Sequence, residues 1–261
     1  MGLLDSFSLK GKVALVTGAA GIAGAQLARA VAEAGAETYI ASRQLDALEA
    51  SAAAFRREGL LVTALPYDQG DEASILALRD HIVERNGGLD ILVNNAVSRP
   101  MKGGYGDDLA TFADSMRINA TGLFAITRAM GDVMAGQGRG SIINIGSIQG
   151  MVAPDPAVYK GTAMHGWYPD YFFHKGGMIN FTRFSASYYG AHNVRCNCIS
   201  PGGIQTENHP ETFVENYSER TFLGRLASDT DLMGAVVFFA SDASAYITGT
   251  NLPVDGGYTA K

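Results

Sequence analysis

The sequence predicts an α/β fold in three layers, with a seven-stranded parallel sheet covered by helices on both faces. Three observations predict it. Short apolar runs of strand length alternate with longer helix-forming segments from residue 12 to residue 254. A glycine-rich turn joins the first strand to the first helix. No proline- or serine-rich linker, repeat or charged tail interrupts the alternation, so residues 1–261 read as one domain.

Residues 12–17 (KVALVT) make the first strand, apolar almost throughout as a strand buried on both faces must be. The turn from Gly18 to Gly24 leads into a helix over 25–34, rich in alanine and ended by Gly35. A strand over 37–41, a helix over 45–57 and a strand over 61–66, which ends at Asp68, repeat the unit. A helix over 75–85 precedes the fourth strand, 89–93. The second half keeps the rhythm with a long helix over 112–134, a strand over 141–145, a helix over 171–189 and a strand over 194–199. Residues 202–220 read as loop-rich, and a helix over 232–239 and a strand over 250–254 complete the chain. Right-handed crossovers bring every strand C-terminus to one edge of the sheet, where loops distant in sequence can build one site.

A sequence with 47% apolar and 18% charged residues has a large buried fraction and is not a disordered module. Its formal net charge of -6 provides no polycationic footprint for nucleic acid. The chain opens without a basic, then apolar leader, and no apolar run approaches the roughly 20 residues of a membrane helix. The expected location is therefore cytoplasmic, with no membrane partner. Met1, Gly2 and Ser6 match a short acylation pattern that often arises by chance. Cys196 and Cys198 alternate within one strand and so share a face, which suits buried free thiols better than a disulfide. The histidines form no ligand cluster in sequence, and no metal is expected.

Gly18, Gly21 and Gly24 open a helix directly behind a strand, the setting in which glycine spacing signals a dinucleotide. The backbone can approach a pyrophosphate there, and the helix N-terminus stabilises its charge. This is a Rossmann-like arrangement. The second strand ends without the Asp or Glu that would bind the ribose hydroxyls of NAD; Ser42 and Arg43 stand there instead. A forked guanidinium beside a hydroxyl suits the 2′-phosphate of NADP, so NADP is favoured and NAD is the alternative. The competing roles for Arg43 are stacking on adenine or a place on the surface. Asp68 and Gln69 are placed to meet the adenine, although Asp68 also fits a helix cap. Asn94, Asn95 and Ala96 follow the fourth strand, where small polar groups can bond ribose and main chain or make an ordinary turn.

Ser147 stands just past the fifth strand, with Gln149 two residues on. Tyr171 and Lys175 are spaced i, i+4 and share a helix face. A phenol near its free pKa of about 10 is a poor base at neutral pH, but a nearby ammonium favours the phenolate. The spacing occurs by chance in many helices and gains its force from the upstream serine and the dinucleotide turn. Tyr159 and Lys160, being adjacent, cannot share a helix face.

In order and spacing these motifs, from Leu9 to Tyr258, resemble the short-chain dehydrogenase/reductase family in its short form. The resemblance implies a tetrad of Asn119, Ser147, Tyr171 and Lys175. In it Tyr171 protonates or deprotonates the substrate oxygen, Ser147 orients it, Lys175 supports the phenolate, and Asn119 holds a water that continues the proton path. It also implies that Pro201, Gly202, Ile204 and Thr206 lie near the nicotinamide. Three departures stand out. Ile22 occupies the family's middle glycine position, with Gly21 one place early, a spacing similar to that of the epimerase and dehydratase branch. Val97 fills the last place of the family's NNAG run. The 24 positions from Ser147 to Tyr171 exceed the usual gap, and the extra residues, 159–170, lie beside the expected substrate mouth.

His165, Trp167 and Tyr168 are expected in the substrate wall or in an inter-subunit contact; the alternative is a surface loop pinned by one aromatic. A lid is expected over 203–220, which holds Gln205, Glu207, Asn208, His209 and Glu211, while Arg99 and Lys102 follow the fourth strand. Such groups suit a polyhydroxylated molecule, and residues 7–16 and 171–203 further resemble family members that act on sugars or sugar acids. The expected reaction is hydride transfer between a nicotinamide and a carbonyl or secondary alcohol carbon of a sugar, sugar acid or polyol, with Gln149, His165, Trp167 and His209 as substrate contacts. The alternatives are an apolar ketone or acyl substrate facing Phe172, Phe173, Phe213 and Phe222, a sugar epimerase or dehydratase, and a non-catalytic nucleotide-binding regulator. Many similar proteins are homotetramers, so a homotetramer or homodimer joined through Phe124, Met130, Met134, Phe181 and Phe184 is expected, with packing on the sheet as the competing role.

Overall fold

A computed structural model describes residues 2–260; Met1, the first residue of the acylation pattern, and Lys261 at the end of the expected domain lie outside them. Seven strands form one parallel sheet: β1 (Val13–Thr17), β2 (Glu37–Ser42), β3 (Val62–Pro66), β4 (Ile91–Asn94), β5 (Gly140–Ile145), β6 (Val194–Pro201) and β7 (Asn251–Val254). Their order is β3-β2-β1-β4-β5-β6-β7. The α/β fold with a Rossmann-like seven-stranded parallel sheet is therefore the architecture adopted.

The period of two along each strand sorts side chains between two helical layers. Ala14 and Val16 of β1, Ile91 and Val93 of β4, and Ile143 and Ile145 of β5 pack with α1 (Ile22–Glu33), α2 (Leu45–Arg57) and α8 (Met233–Ala240). Leu15, Leu92 and Ile142 point the other way, toward α3 (Glu72–Asn86), α5 (Gly122–Gln137) and α6 (Pro169–Tyr189). Each such fully buried aliphatic side chain stabilises the fold by roughly 1.5–3 kcal/mol, so the two layers fix which strand edge faces which helix. The chain runs outward from β1 to β2 and β3, then returns to the opposite side of β1 to lay down β4. Crossovers that diverge at this reversal leave a crevice at the strand C-termini.

Three elements differ from the expectation. The long helix over 112–134 is two helices, α4 (Leu109–Met116) and α5, joined by one π-type turn, Arg117–Thr121. The loop-rich stretch contains α7 (Glu211–Ser218), too short for a clear helical period, which buries Phe213 and Tyr217 on one face. Helix α6 begins at Pro169 rather than Tyr171, because proline is well placed in a first helical turn, where no N–H bond is required of it. Met130 and Met134 are fully buried on the sheet and are core rather than interface residues, whereas Phe124 and Phe184 are exposed. Cys196 and Cys198 are free and buried in β6. Among the described residues no helix is long and apolar enough to cross a membrane, and no group of three or more His, Cys, Asp or Glu could hold a metal ion.

Candidate active site

At the reversal between β1 and β4 the strand ends enclose a crevice of about 510 Å³, into which Gly18, Ile22, Arg43, Asp68 and Asn95 project or turn their backbone. Gly18 has φ +67°, and a Cβ there would stand 2.7 Å from Ala96 Cα; at Gly24 it would stand 2.3 Å from the Gly18 carbonyl. Both positions therefore exclude a side chain, and the backbone stays bare where a pyrophosphate would meet the start of α1. Gly21 has room for a side chain, with the nearest atom 3.6 Å away, and Ile22 opens α1 half-exposed on the crevice wall. The departure in glycine spacing thus leaves the tight turn intact.

Thr17, which the sequence reading passed over as strand, holds this turn against β4. Its hydroxyl accepts the backbone N–H groups of Asn95 and Ala96, each at 3.1 Å. Asn95 Nδ2 donates in return to the Thr17 and Gly18 carbonyls, each at 3.0 Å, so its amide fixes the turn instead of reaching for a ribose. Val97 sits on an ordinary negative-φ backbone, which is why a branched side chain is accepted in the glycine's place. Ser42 and Arg43 line the crevice at the end of β2, and among the described residues Arg43 has no ion-pair partner. Asp68 accepts the Gly70 N–H at 2.8 Å, a turn role beside its place in the crevice wall. The Gln69 amide is spent internally, donating to Ile118 O at 2.9 Å and accepting from Tyr67 Oη at 3.2 Å. A bare glycine turn, a helix N-terminus and an unpaired Arg43 fit a dinucleotide.

The crevice runs on into a second cavity of about 450 Å³; Ile22, Asn95, Val97 and Arg99 border both. Its floor carries Ser147, Tyr171 and Lys175, all buried. The chain after Ser147 lies directly on α6: a Cβ on Gly150 would stand 2.6 Å from the Lys175 carbonyl carbon, and only a glycine allows that approach. Ser147 Oγ accepts the Gln149 N–H at 3.1 Å, which leaves its own proton free to be donated. The Tyr171 phenol shares this cavity with Ser147 and Arg99, and the Arg99 guanidinium lies over its ring. Burial raises the phenol pKa, but Lys175 and then Arg99 outweigh it and hold the group below its ordinary value. Lys175 is lowered in turn, chiefly by burial, and its Nζ donates to the Ile145 carbonyl. A buried phenol beside a serine hydroxyl and an ammonium, open to a cofactor crevice, can give or take a proton at a substrate oxygen.

Comparison with known proteins agrees with this geometry. A family model described as Enoyl-(Acyl carrier protein) reductase matches residues 18–259. A gluconate 5-dehydrogenase of Gluconobacter oxydans (strain 621H) is 34% identical, with 98% of this chain and 97% of that protein aligned. The chain belongs to the short-chain dehydrogenase/reductase family. A galactitol 2-dehydrogenase (L-tagatose-forming) of Cereibacter sphaeroides is 32% identical, covering 97% of each chain. A solved gluconate 5-dehydrogenase from Burkholderia cenocepacia J2315, in complex with NADP and tartrate, superposes with a TM-score of 0.89 at 32% identity over 100% of both chains. Like others of its family, this short-chain dehydrogenase/reductase is an NAD(P)-dependent oxidoreductase acting on a carbonyl or alcohol.

The fourth expected tetrad member, Asn119, lies in the π-type turn, the kind of bulge that often marks a functional position. Its amide donates to Ser98 O at 2.8 Å and to Ser115 Oγ at 3.0 Å, and its Oδ1 accepts the Ser98 N–H at 2.8 Å. Ser115 donates onward to Asp170 at 2.6 Å. His174, one place before Lys175, is buried edge-on to the Tyr171 ring at 5.2 Å, with neither ring nitrogen partnered. Burial, followed by the nearby Lys175 and Arg99, depresses its pKa to about 3 and keeps it neutral. Sequence reasoning missed Ser115, Asp170 and His174.

Pro201, Gly202, Ile204 and Thr206 all line the cavity, as do Gln149, His165, Tyr168 and His209. Trp167 does not: it is half-exposed and its backbone carbonyl packs on Gly104, which corrects its place in the substrate wall. Of the residues in the expected lid, Gln205, Glu207, Asn208 and Glu211 are exposed and outside the lining, and so is Lys102. Phe213 is the one phenylalanine among Phe172, Phe173, Phe213 and Phe222 that reaches the cavity. Residues 159–170 are docked on α7: Val158, Phe213, Tyr217, Ile148 and Leu226 form a separate apolar cluster with Tyr159 and Met164 against it. Asn216 Nδ2 bonds the carbonyls of Val158 at 3.2 Å and Lys160 at 2.8 Å, and Arg220 pairs with Asp155 at 2.8 Å.

Proposed function

We propose that this short-chain dehydrogenase/reductase uses NADP(H) in preference to NAD(H) to interconvert a secondary alcohol and a ketone on a sugar, sugar acid or polyol. The observation that carries the reading is the Tyr171 phenol, lowered in pKa at the floor of a cavity that continues into the dinucleotide crevice. When bound there, the nicotinamide exchanges the hydride. Tyr171 exchanges the proton of the substrate oxygen, Ser147 donates its free proton to that oxygen, and Lys175 keeps the phenolate accessible. Asn119, its side chain held by Ser98 and Ser115, is the residue proposed to hold a water that continues the proton path.

Arg43 beside Ser42 supports the choice of NADP, because among the described residues no carboxylate pairs with the guanidinium. The polar lining, with Gln149, His165, Tyr168 and His209, supports a hydroxyl-bearing substrate, as do the relatives named for gluconate and galactitol. Phe124, Phe181, Phe184 and Tyr188 run as an aromatic strip along α5 and α6 and support assembly as a homotetramer or homodimer through that face.

The test is nicotinamide absorbance with both cofactors against a panel of sugars, sugar acids, polyols and apolar ketones, for wild type and Tyr171→Phe. Turnover of a hydroxylated substrate that falls about 10²–10⁴-fold in the variant, with cofactor affinity retained, is the expected result. Turnover confined to apolar ketones, or a Tyr171→Phe variant of undiminished rate, overturns the proposal.

A further inference from the structure

This inference rests on the polar-substrate reading above and narrows it. The substrate cavity carries cations without carboxylates. Its lining holds Arg99 and Lys175 together with the imidazoles of His165 and His209, and no Asp or Glu. The lid acids Glu207 and Glu211 stand exposed outside it. This balance opposes the chain's own net charge of -6, so it is a local property of the site and not a reflection of composition.

The two cations differ in availability. Lys175 is buried and already donates to the Ile145 carbonyl beneath the phenol. Arg99 stands at the border of the cofactor crevice and the substrate cavity, and among the described residues no Asp or Glu pairs with it. Its guanidinium lies over the Tyr171 ring, 4.3 Å from the centroid. An aromatic face holds a guanidinium without consuming its N–H donors, which lie in its plane. Arg99 is thus a cation oriented by the catalytic tyrosine itself, with most of its donors unspent.

We propose that the substrate is an anion, a hydroxy or keto acid of the sugar-acid type, and that Arg99 binds its carboxylate. The fork of a guanidinium matches a carboxylate in a two-bond pairing that a hydroxyl cannot reproduce. A carboxylate held beside Tyr171 sets how far along the substrate chain the reacting carbon lies. Specificity for the anion and for the position of oxidation then comes from one residue. A neutral polyol of the same length fills the cavity but leaves the cation unpaired.

The experiment compares matched pairs on the NADP-loaded enzyme: gluconate against glucitol for turnover, and tartrate against threitol for binding read as a shift in melting temperature. Wild type should favour gluconate, and tartrate but not threitol should raise its melting temperature. Arg99→Gln should lower the ratio of acid to polyol kcat/KM by about 100-fold, mainly through KM, and abolish the tartrate shift. Arg99→Lys keeps the charge but loses the fork and should lose about 10-fold. An equal fall for acid and polyol in Arg99→Gln, a weakened NADP affinity with the ratio unchanged, or a tartrate shift that survives the substitution overturns the proposal. Failure of the wider reading looks different, since it shows as turnover of apolar ketones with neither member of either sugar-like pair recognised.

Discussion

Asn216→Ala tests whether residues 159–170 belong to the substrate wall. The Asn216 amide joins α7 to the start of that segment through two bonds, 3.2 Å to Val158 O and 2.8 Å to Lys160 O. A side-chain bond to the main chain contributes about 0.5–1.5 kcal/mol net. The Lys160 end is exposed, so the lower half of that range applies, about 1–2 kcal/mol for the pair. The docked arrangement then loses a factor of roughly 5–30 against undocked ones. The apolar cluster of Val158, Phe213 and Tyr217 persists, so the change is a local opening within a folded protein. Met164, His165 and Tyr168 line the cavity only while the segment is docked, so substrate KM should rise by up to the same factor. Met164, His165 and Tyr168 do not line the crevice between β1 and β4, so cofactor affinity should hold steady. Steady-state kinetics at saturating cofactor and a fluorescence titration of the cofactor measure the two quantities. An unchanged KM alongside a lower melting temperature would refute the reasoning and leave the segment a purely stabilising strap. Arg220→Ala serves as the comparison: its ion pair with Asp155 is a third exposed on both sides and worth about 0–1 kcal/mol, so its effect should be smaller.

Three further outcomes follow from the charges. Alcohol oxidation needs the phenolate, so its kcat/KM should rise with pH and level off at an inflection below the ordinary tyrosine value; Lys175→Met removes the principal lowering cation and should move that inflection upward, and an unmoved inflection would exclude the ammonium as the cause. Arg43→Ala should weaken NADP by about 10–100-fold while leaving NAD within a few-fold, measured as the two dissociation constants; equal changes would place Arg43 on the adenine or ribose instead. His174 takes up a proton on unfolding near pH 6.5 but only near pH 3 when folded, so the unfolded state binds more protons between those values and stability falls as pH falls through that window. His174→Leu should remove one proton, about 1.4 kcal/mol per pH unit, from the slope of urea-unfolding stability between pH 6 and pH 4, and an unaltered slope would show that the imidazole is not held neutral.

The fold was legible because local signals and burial agree in this chain. The strands over 12–17 and 141–145 are buried on both faces and built on apolar residues, VALV in the first and three isoleucines in the second, and their lengths separate them from helices. Gly18 and Gly24 were readable for a related reason: a missing side chain is forced there by backbone contacts that any sequence with this turn must meet. The π-type turn in the helical stretch 109–137 left no such trace. RINAT has ordinary helical composition, and one wide turn changes the hydrogen bonding without changing the apolar period. The stretch over 202–220 was misread as loop for the opposite reason, since α7 is a mere eight residues and its two buried aromatics define a face without defining a period.

The residues proposed to react were legible while their supports were not, and the difference lies in distance along the chain. Tyr171 and Lys175 meet within one helical turn, so their spacing alone places them together. Asn119 is positioned by Ser98, 21 residues away, and by Ser115, which in turn answers to Asp170, 55 residues further on. Nothing in the types Ser, Ser and Asp announces that they will meet, and a buried aspartate one residue before Tyr171 reads in sequence as a helix-start residue. The same holds for Arg99. Its position after β4 was readable, but its place over the Tyr171 ring requires α6 to be docked across the sheet edge. Sequence spacing therefore points to the residues proposed for the proton chemistry, whereas the placement of groups such as Arg99 around them becomes visible only once the strand ends are gathered.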